Sequence, residues 1–193
     1  MIVWQQFRTL AIVISAGWFL SEILLGVITH SRSDNSEKQD KSSLRLLWFT
    51  IIPCMFVGVY LGARGIGYIA AASFVVSMAG LVLVVLGLAV RWTTILTLKG
   101  LFTSDVNVRD GHRLIDKGVY SIIRHPAYAG SLLTFLGFGM TFSNWLSTLV
   151  VFIPILFAFL YRIRIEERAL LGFFGTAYHD YCRKTKRLIP KIY

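Results

Sequence analysis

One stretch constrains this chain before any motif does: Ala127–Tyr161, 35 residues without a single Asp, Glu, Lys or Arg. Three more apolar runs precede it. Thr9–Thr29 has 21 residues and one charge, Glu22; Leu46–Ala63 has 18 and none; Gly65–Val90 has 26 and none. About 20 predominantly apolar residues carry a helix across the roughly 30 Å hydrocarbon core of a bilayer. A helix also bonds its own backbone groups where no water can. Composition agrees. Hydrophobic residues make up 55% of the 193 and charged residues 16%, against about a quarter in an average soluble chain. Such apolar content excludes disorder, and two cysteines exclude a secreted disulfide scaffold. The expected fold class is all-α, an integral membrane protein forming one domain over residues 1–193.

Thirty-five residues exceed one crossing. Ser143-Asn144 is a tight-turn pair near the middle, so the run reads as a hairpin of two helices, Ala127–Phe142 and Trp145–Tyr161. That gives five expected transmembrane helices: 9–29, 46–63, 65–90, 127–142 and 145–161. The net charge of +10 then becomes topological rather than a nucleic-acid footprint. Ser31–Arg45 carries four Lys/Arg, Arg91–Arg124 six and the tail from Arg162 eight, leaving only Arg8 and Arg64 elsewhere. With five crossings these basic segments share one side, which the positive-inside rule makes cytoplasmic. The expected N-terminus is outside and the C-terminus inside. A cleaved signal peptide is not expected, because the apolar run behind Arg8 is too long for an h-region.

Several residues have structural readings. Pro53 and Pro154 lie within spans, where they kink helices. Gly58 and Gly62 form a GxxxG pair, suited to close helix packing and compatible with a dimer; the oligomeric state stays open. Cys54 falls in a span and Cys182 in the tail, so no disulfide or metal site is expected. Ser31–Ser43 reads as a polar loop. Glu22 is an ionisable group within a span, which ordinarily signals a role; a structural or interfacial one is expected.

Two cytoplasmic segments, 91–126 and 162–193, are more than connectors. The first contains Asp110-Gly111-His112-Arg113-Leu114-Ile115, then Gly118-Val119-Tyr120, then Arg124-His125-Pro126-Ala127-Tyr128-Ala129-Gly130. Pro126 suits the first turn of a helix, so Arg124 and His125 sit just ahead of a helix N-terminus, with its free N–H groups and partial positive charge. In the second, Arg162 and Glu166 share a helix face four residues apart, and Glu167 is adjacent. Two acids beside an anionic leaflet are not accounted for by lipid attraction. Phe174-Gly175-Thr176-Ala177-Tyr178 and Arg187-Leu188-Ile189-Pro190 follow.

In these motifs, over roughly the last 90 residues, the chain resembles the isoprenylcysteine carboxyl methyltransferase family, as a prokaryotic-type member. The resemblance implies S-adenosylmethionine as methyl donor, no metal, and a cytoplasmic cofactor pocket built from the segment before the fourth helix and the extension of the fifth. It carries cofactor contacts onto His112, Arg113, Leu114, Ile115, Tyr120, His125, Pro126, Ala127 and Tyr128. It places Glu166 or Glu167 on the donor and Arg162 on the substrate, with Arg162, Glu166 and Glu167 forming the catalytic set. The implied reaction is methyl esterification of a lipophilic carboxylate, such as that of a prenylated cysteine entering from the bilayer. Membrane lipids are the other expected partners; nucleic acid is not. The rival readings are a phospholipid N-methyltransferase, a nicotinamide-dependent membrane reductase and a non-catalytic membrane protein.

Overall fold

The computed structural model describes residues 10, 11, 13–22, 24, 38–97, 114 and 116–193, the side chains of 38–41 aside. His112, Arg113 and Ile115 lie outside the described residues. What is described is mainly helical: the helical residues 10, 11, 13–22 and 24, here called α1, then α2 (Lys38–Arg64), α3 (Ser73–Thr97), a 3-10 turn (Gly118–Ser121), α4 (Pro126–Thr141), α5 (Trp145–Phe174) and α6 (Thr176–Lys184). Two isolated bridges, Tyr68 with Asn144 and Ile123 with Lys186, are the β-type pairing among the described residues.

The α4–α5 hairpin turns on a buried asparagine. Asn144 caps α5, its side-chain oxygen accepting from Ser147 N at 2.9 Å, while its amide donates to Ile66 O at 2.7 Å and Leu61 O at 3.3 Å. Ser143 adopts a positive φ of 47° and is held there by Ile69: the serine hydroxyl donates to Ile69 O at 3.0 Å, and Ile69 N donates to Ser143 O at 2.8 Å. These bonds stitch the α4–α5 turn to the α2–α3 turn. They also correct the expected third span. Gly65 and Gly67 take positive φ, and a Cβ on Gly67 would sit 3.0 Å from Asn144 Oδ1. The chain therefore turns over residues 65–72 before α3 begins at Ser73 and runs on to Thr97. Arg91, expected to open a connecting segment, lies inside that helix. Residues 38–43, expected in a loop, form the first turns of α2.

Helix contacts run α3 on α4, α2 on α5 and α4 on α5. Glycines permit them. Gly80 faces the Gly137 carbonyl and Gly87 the Gly130 carbonyl, so closely that an added Cβ would lie 2.7 Å and 2.6 Å from those oxygens. The GxxxG pair serves α2 within the protomer: a Cβ on Gly58 would strike Val151, one on Gly62 would strike Phe142, and Ser147 Oγ donates to Gly58 O at 2.8 Å. A core of Trp18, Leu47, Ile51, Val84, Phe135, Phe138, Ile155 and Phe159 fills the centre.

The outer surface is apolar. Phe56 is 77% exposed and Phe157 64%, with Phe49, Val75, Leu86 and Leu96 similarly open. In water this would be a liability, whereas in hydrocarbon it costs nothing. Among the described residues three helices are long and apolar enough to cross a membrane: Ser42–Arg64, Ser73–Thr97 and Trp145–Phe174. α4 has 16 residues, about 24 Å. Ten of them are buried, so α4 is sheathed mainly by protein. α5, with 30 residues, extends about 45 Å and outreaches the hydrocarbon core.

Candidate active site

Where α5 outruns the core, its polar residues meet the N-terminus of α4. Pro126 opens α4, its missing N–H costing nothing at the first helical position, and His125 stands at the N-cap. The tail holds this entry in place: Arg124 N donates to Lys186 O at 2.7 Å and His125 N to Arg187 O at 3.0 Å. His125 is 5% exposed. Its Nε2 lies 3.4 Å from Glu167 Oε1 and its Nδ1 3.8 Å from Glu166 Oε2, so the α4 entry and both acids share one cluster.

The two acids differ. Glu167 is gripped on both oxygens. Arg124 Nε donates to Oε1 at 2.9 Å, and Arg187 donates to Oε2 through Nε at 2.8 Å and Nη2 at 2.7 Å. Hydrogen bonding to Glu167 pushes the Arg187 guanidinium further up, so it remains a cation. Arg124 also donates to the Cys182 carbonyl at 3.2 Å and to that of Thr185. Glu167 is thus the knot tying α4, α5 and the tail. Glu166 Oε2 is buried and, among the described residues, has no hydrogen-bond partner. A buried, unbonded carboxylate oxygen is costly in isolation and suits a ligand donor.

Tyr128, one turn into α4, joins this cluster to Arg162. Its ring stacks on His125 at 5.6 Å with 6° between planes. Its hydroxyl accepts from Arg162 Nε at 3.0 Å, and Arg162 Nη1 donates to Ser43 Oγ on α2 at 3.0 Å. Arg162 is 2% exposed. Tyr120 contributes its carbonyl, accepting from Tyr181 Oη at 2.7 Å. Burial pushes the Tyr181 phenol up to about 12 and raises Tyr178 and Tyr120 further, so all three stay protonated at neutral pH.

Of the sequence-derived residues, the structure gathers Tyr120, His125, Pro126, Ala127, Tyr128, Arg162, Glu166 and Glu167 around the α4 entry. Leu114 is half-buried ahead of it. Arg124, Arg187, Tyr178, Tyr181 and Ser43 take part without a role assigned from sequence. Arg187 and buried Tyr178 sit in quoted motifs that could have flagged them. Ser43 had no such signal, lying in a stretch that reads as loop.

A helical bundle with an apolar exterior and a polar cluster at one end of its longest described helix defines a membrane-embedded protein. The sequence profile of the Isoprenylcysteine carboxyl methyltransferase (ICMT) family matches residues 79–172. Similar relatives include the probable protein-S-isoprenylcysteine O-methyltransferase of Oryza sativa subsp. indica, 36% identical over 61% of this chain and 62% of that protein. The protein-S-isoprenylcysteine O-methyltransferase of Saccharomyces cerevisiae is 33% identical over 79% of this chain and 64% of that one. The solved structure of the eukaryotic intramembrane Ras methyltransferase ICMT, without a monobody, superposes with a TM-score of 0.67 at 27% identity, covering 97% of this chain and 67% of its own. Over residues 79–172 the chain is similar to the isoprenylcysteine carboxyl methyltransferase family. It spans a little under two thirds of the length of these two relatives.

Proposed function

We propose that this protein is an S-adenosylmethionine-dependent methyltransferase that esterifies the carboxylate of a lipophilic substrate, such as a C-terminal prenylated cysteine. The observation that carries the reading is the buried Glu166 Oε2, 3.8 Å from His125 Nδ1 and without a hydrogen-bond partner among the described residues, in a chain whose relatives are named for this reaction. The donor set fits the cofactor. A carboxylate can accept from its ammonium or ribose hydroxyls through charge-assisted hydrogen bonds. When bound, S-adenosylmethionine supplies an electrophilic methyl group on sulfur. A substrate carboxylate is already ionised at neutral pH, so the protein need not supply a strong base. Its task is alignment, which can account for many orders of magnitude in rate. Arg162 orients the carboxylate. Tyr128 and Ser43 each engage one edge of its guanidinium, which fixes the plane in which it can grip.

In this reading the chain crosses the membrane five times, with the N-terminus outside and the polar cluster and C-terminus cytoplasmic. The lipid part of the substrate enters sideways from the bilayer and the donor from water. The bias of 18 Lys/Arg against 2 supports that orientation.

The test is calorimetric titration of detergent-purified protein with S-adenosylhomocysteine, with NADPH as control. Radiolabelled methyl transfer to a prenylcysteine analogue is then compared with transfer to phosphatidylethanolamine. Binding of NADPH alone, or methylation of the amine lipid alone, would overturn the proposal in favour of a reductase or a phospholipid methyltransferase.

A further inference from the structure

The α3–α4 seam ends in an ion pair that the proposed chemistry does not use. Glu22 on α1 faces Arg91 on α3 in a two-point contact: Nη2 donates to Oε2 at 2.7 Å, and Nε lies 2.6 Å from Oε1. The remaining nitrogen turns to α4. Arg91 Nη1 donates to Ser131 Oγ at 2.7 Å and reaches the Ala127 carbonyl at 3.5 Å. Ser131 Oγ donates to that same carbonyl at 3.1 Å. One guanidinium therefore spans three helices, and both acceptors it finds on α4 lie in the first two turns.

The glycine seam makes this approach possible. A Cβ on Gly130 would lie 2.8 Å from Arg91 N, so the two backbones touch at the level of the ion pair. The α4 turn held there carries His125 at its cap and Tyr128 on its other flank. Tyr128 faces Arg162 and Phe159 of α5, whereas Ala127 and Ser131 face Arg91. A charged pair in an apolar setting is expensive to place and attracts strongly once placed. Interhelical adhesion alone could have been met by more apolar packing. Arginine's planar fork adds direction: with Nη2 bonded to Glu22 and Nε drawn to the same carboxylate by charge alone, Nη1 is turned towards α4.

We propose that Glu22 and Arg91 are positioning residues for the donor site, setting the placement of the first turn of α4, and with it His125 and Tyr128. Through them α1, which lies outside the family-matched segment, tunes affinity for the S-adenosyl ligand without touching it. This rests on the methyltransferase reading for its ligand but not for its geometry, so the experiment has two arms.

Arg91→Lys, Glu22→Gln and the exchanged pair Glu22→Arg/Arg91→Glu are compared with the unsubstituted protein in detergent. The first arm follows thermal unfolding and calorimetric affinity for S-adenosylhomocysteine. The second follows hydrogen exchange of the amides of residues 129–131, which close the first turns of α4. The exchanged pair restores opposite charges between α1 and α3, but a glutamate at 91 cannot donate to Ala127. It should recover the unfolding temperature relative to Glu22→Gln, yet bind S-adenosylhomocysteine at least tenfold more weakly and exchange those amides faster. If it recovers affinity and protection together with stability, the pair is only adhesive and the proposal is overturned. Unchanged affinity and protection in Arg91→Lys would overturn it too. Should the unsubstituted protein bind no S-adenosylhomocysteine, the methyltransferase reading fails by itself. The exchange arm still decides the positioning role: faster exchange in Arg91→Lys upholds it, and unaltered exchange removes it.

Discussion

Glu166 and Glu167 are neighbours in sequence and share a carboxylate, yet their surroundings assign them different work. Three basic side chains converge on Glu167, while one buried oxygen of Glu166 has no hydrogen-bond partner among the described residues. Glu167→Gln should therefore destabilise the fold by about 2–4 kcal/mol, because two arginines lose their counter-charge. Glu166→Gln should change stability by less than about 1 kcal/mol but weaken S-adenosylhomocysteine binding roughly 10–100-fold, the worth of one charge-assisted hydrogen bond. Thermal unfolding and calorimetry on the same two preparations separate these outcomes. The reverse pattern would exchange the two roles. Arg162→Ala should depress methyl transfer more than donor binding; equal losses would take Arg162 off the substrate side. The sequence made the acids conspicuous but could not rank them. Their ranking depends on Arg124, 43 residues earlier, and Arg187, 20 residues later, and periodicity along one helix says nothing about such distant partners.

Among the elements, α3 and α4 depend on glycines seven residues apart, Gly80 with Gly87 and Gly130 with Gly137. Seven residues are two helical turns, so each pair marks one line along its helix. Gly130→Ala should cost about 1–3 kcal/mol, because the new methyl meets backbone atoms that cannot step aside. Gly172→Ala on α5, with open space around it, should instead stabilise by up to about 1 kcal/mol through helix propensity. Thermal shift in detergent reads both, and equal effects would mean the seam is not a close contact. The GxxxG pair was visible in sequence, but its counterpart on α5, built from Ser147 and Val151, was not. The seven-residue spacing was overlooked for a similar reason: small residues declare a contact only once a facing helix is known. Ser143-Asn144 was more legible, since an asparagine after a residue able to take positive φ both ends one helix and caps the next. The extent of α3 was misjudged because hydropathy counts Gly65–Ala72 as apolar and does not register the turn its glycines make.

Across its described residues the protein is a helical bundle with an apolar outer surface and a polar cluster at one end of α5. In the proposed five-crossing arrangement, exposed Lys184 at the end of α6 faces the cytoplasm. A Lys184→Cys protein, with Cys54 and Cys182 replaced by serine, should react with a membrane-impermeant maleimide in inside-out vesicles and not in sealed right-side-out ones. The opposite labelling would invert the topology. The polar cluster is also assembled from segments well separated along the chain. The residues preceding α4 are pinned by a parallel bridge between Ile123 and Lys186 and by the backbone bonds of Arg124 and His125 to the same segment. A nascent polypeptide leaving the ribosome can thus insert and pack its helices long before it owns a finished cluster. The cluster must wait until the segment around residue 187 is free to pack, so a chain truncated before it would leave the helices packed and Glu167 short of one of its arginines.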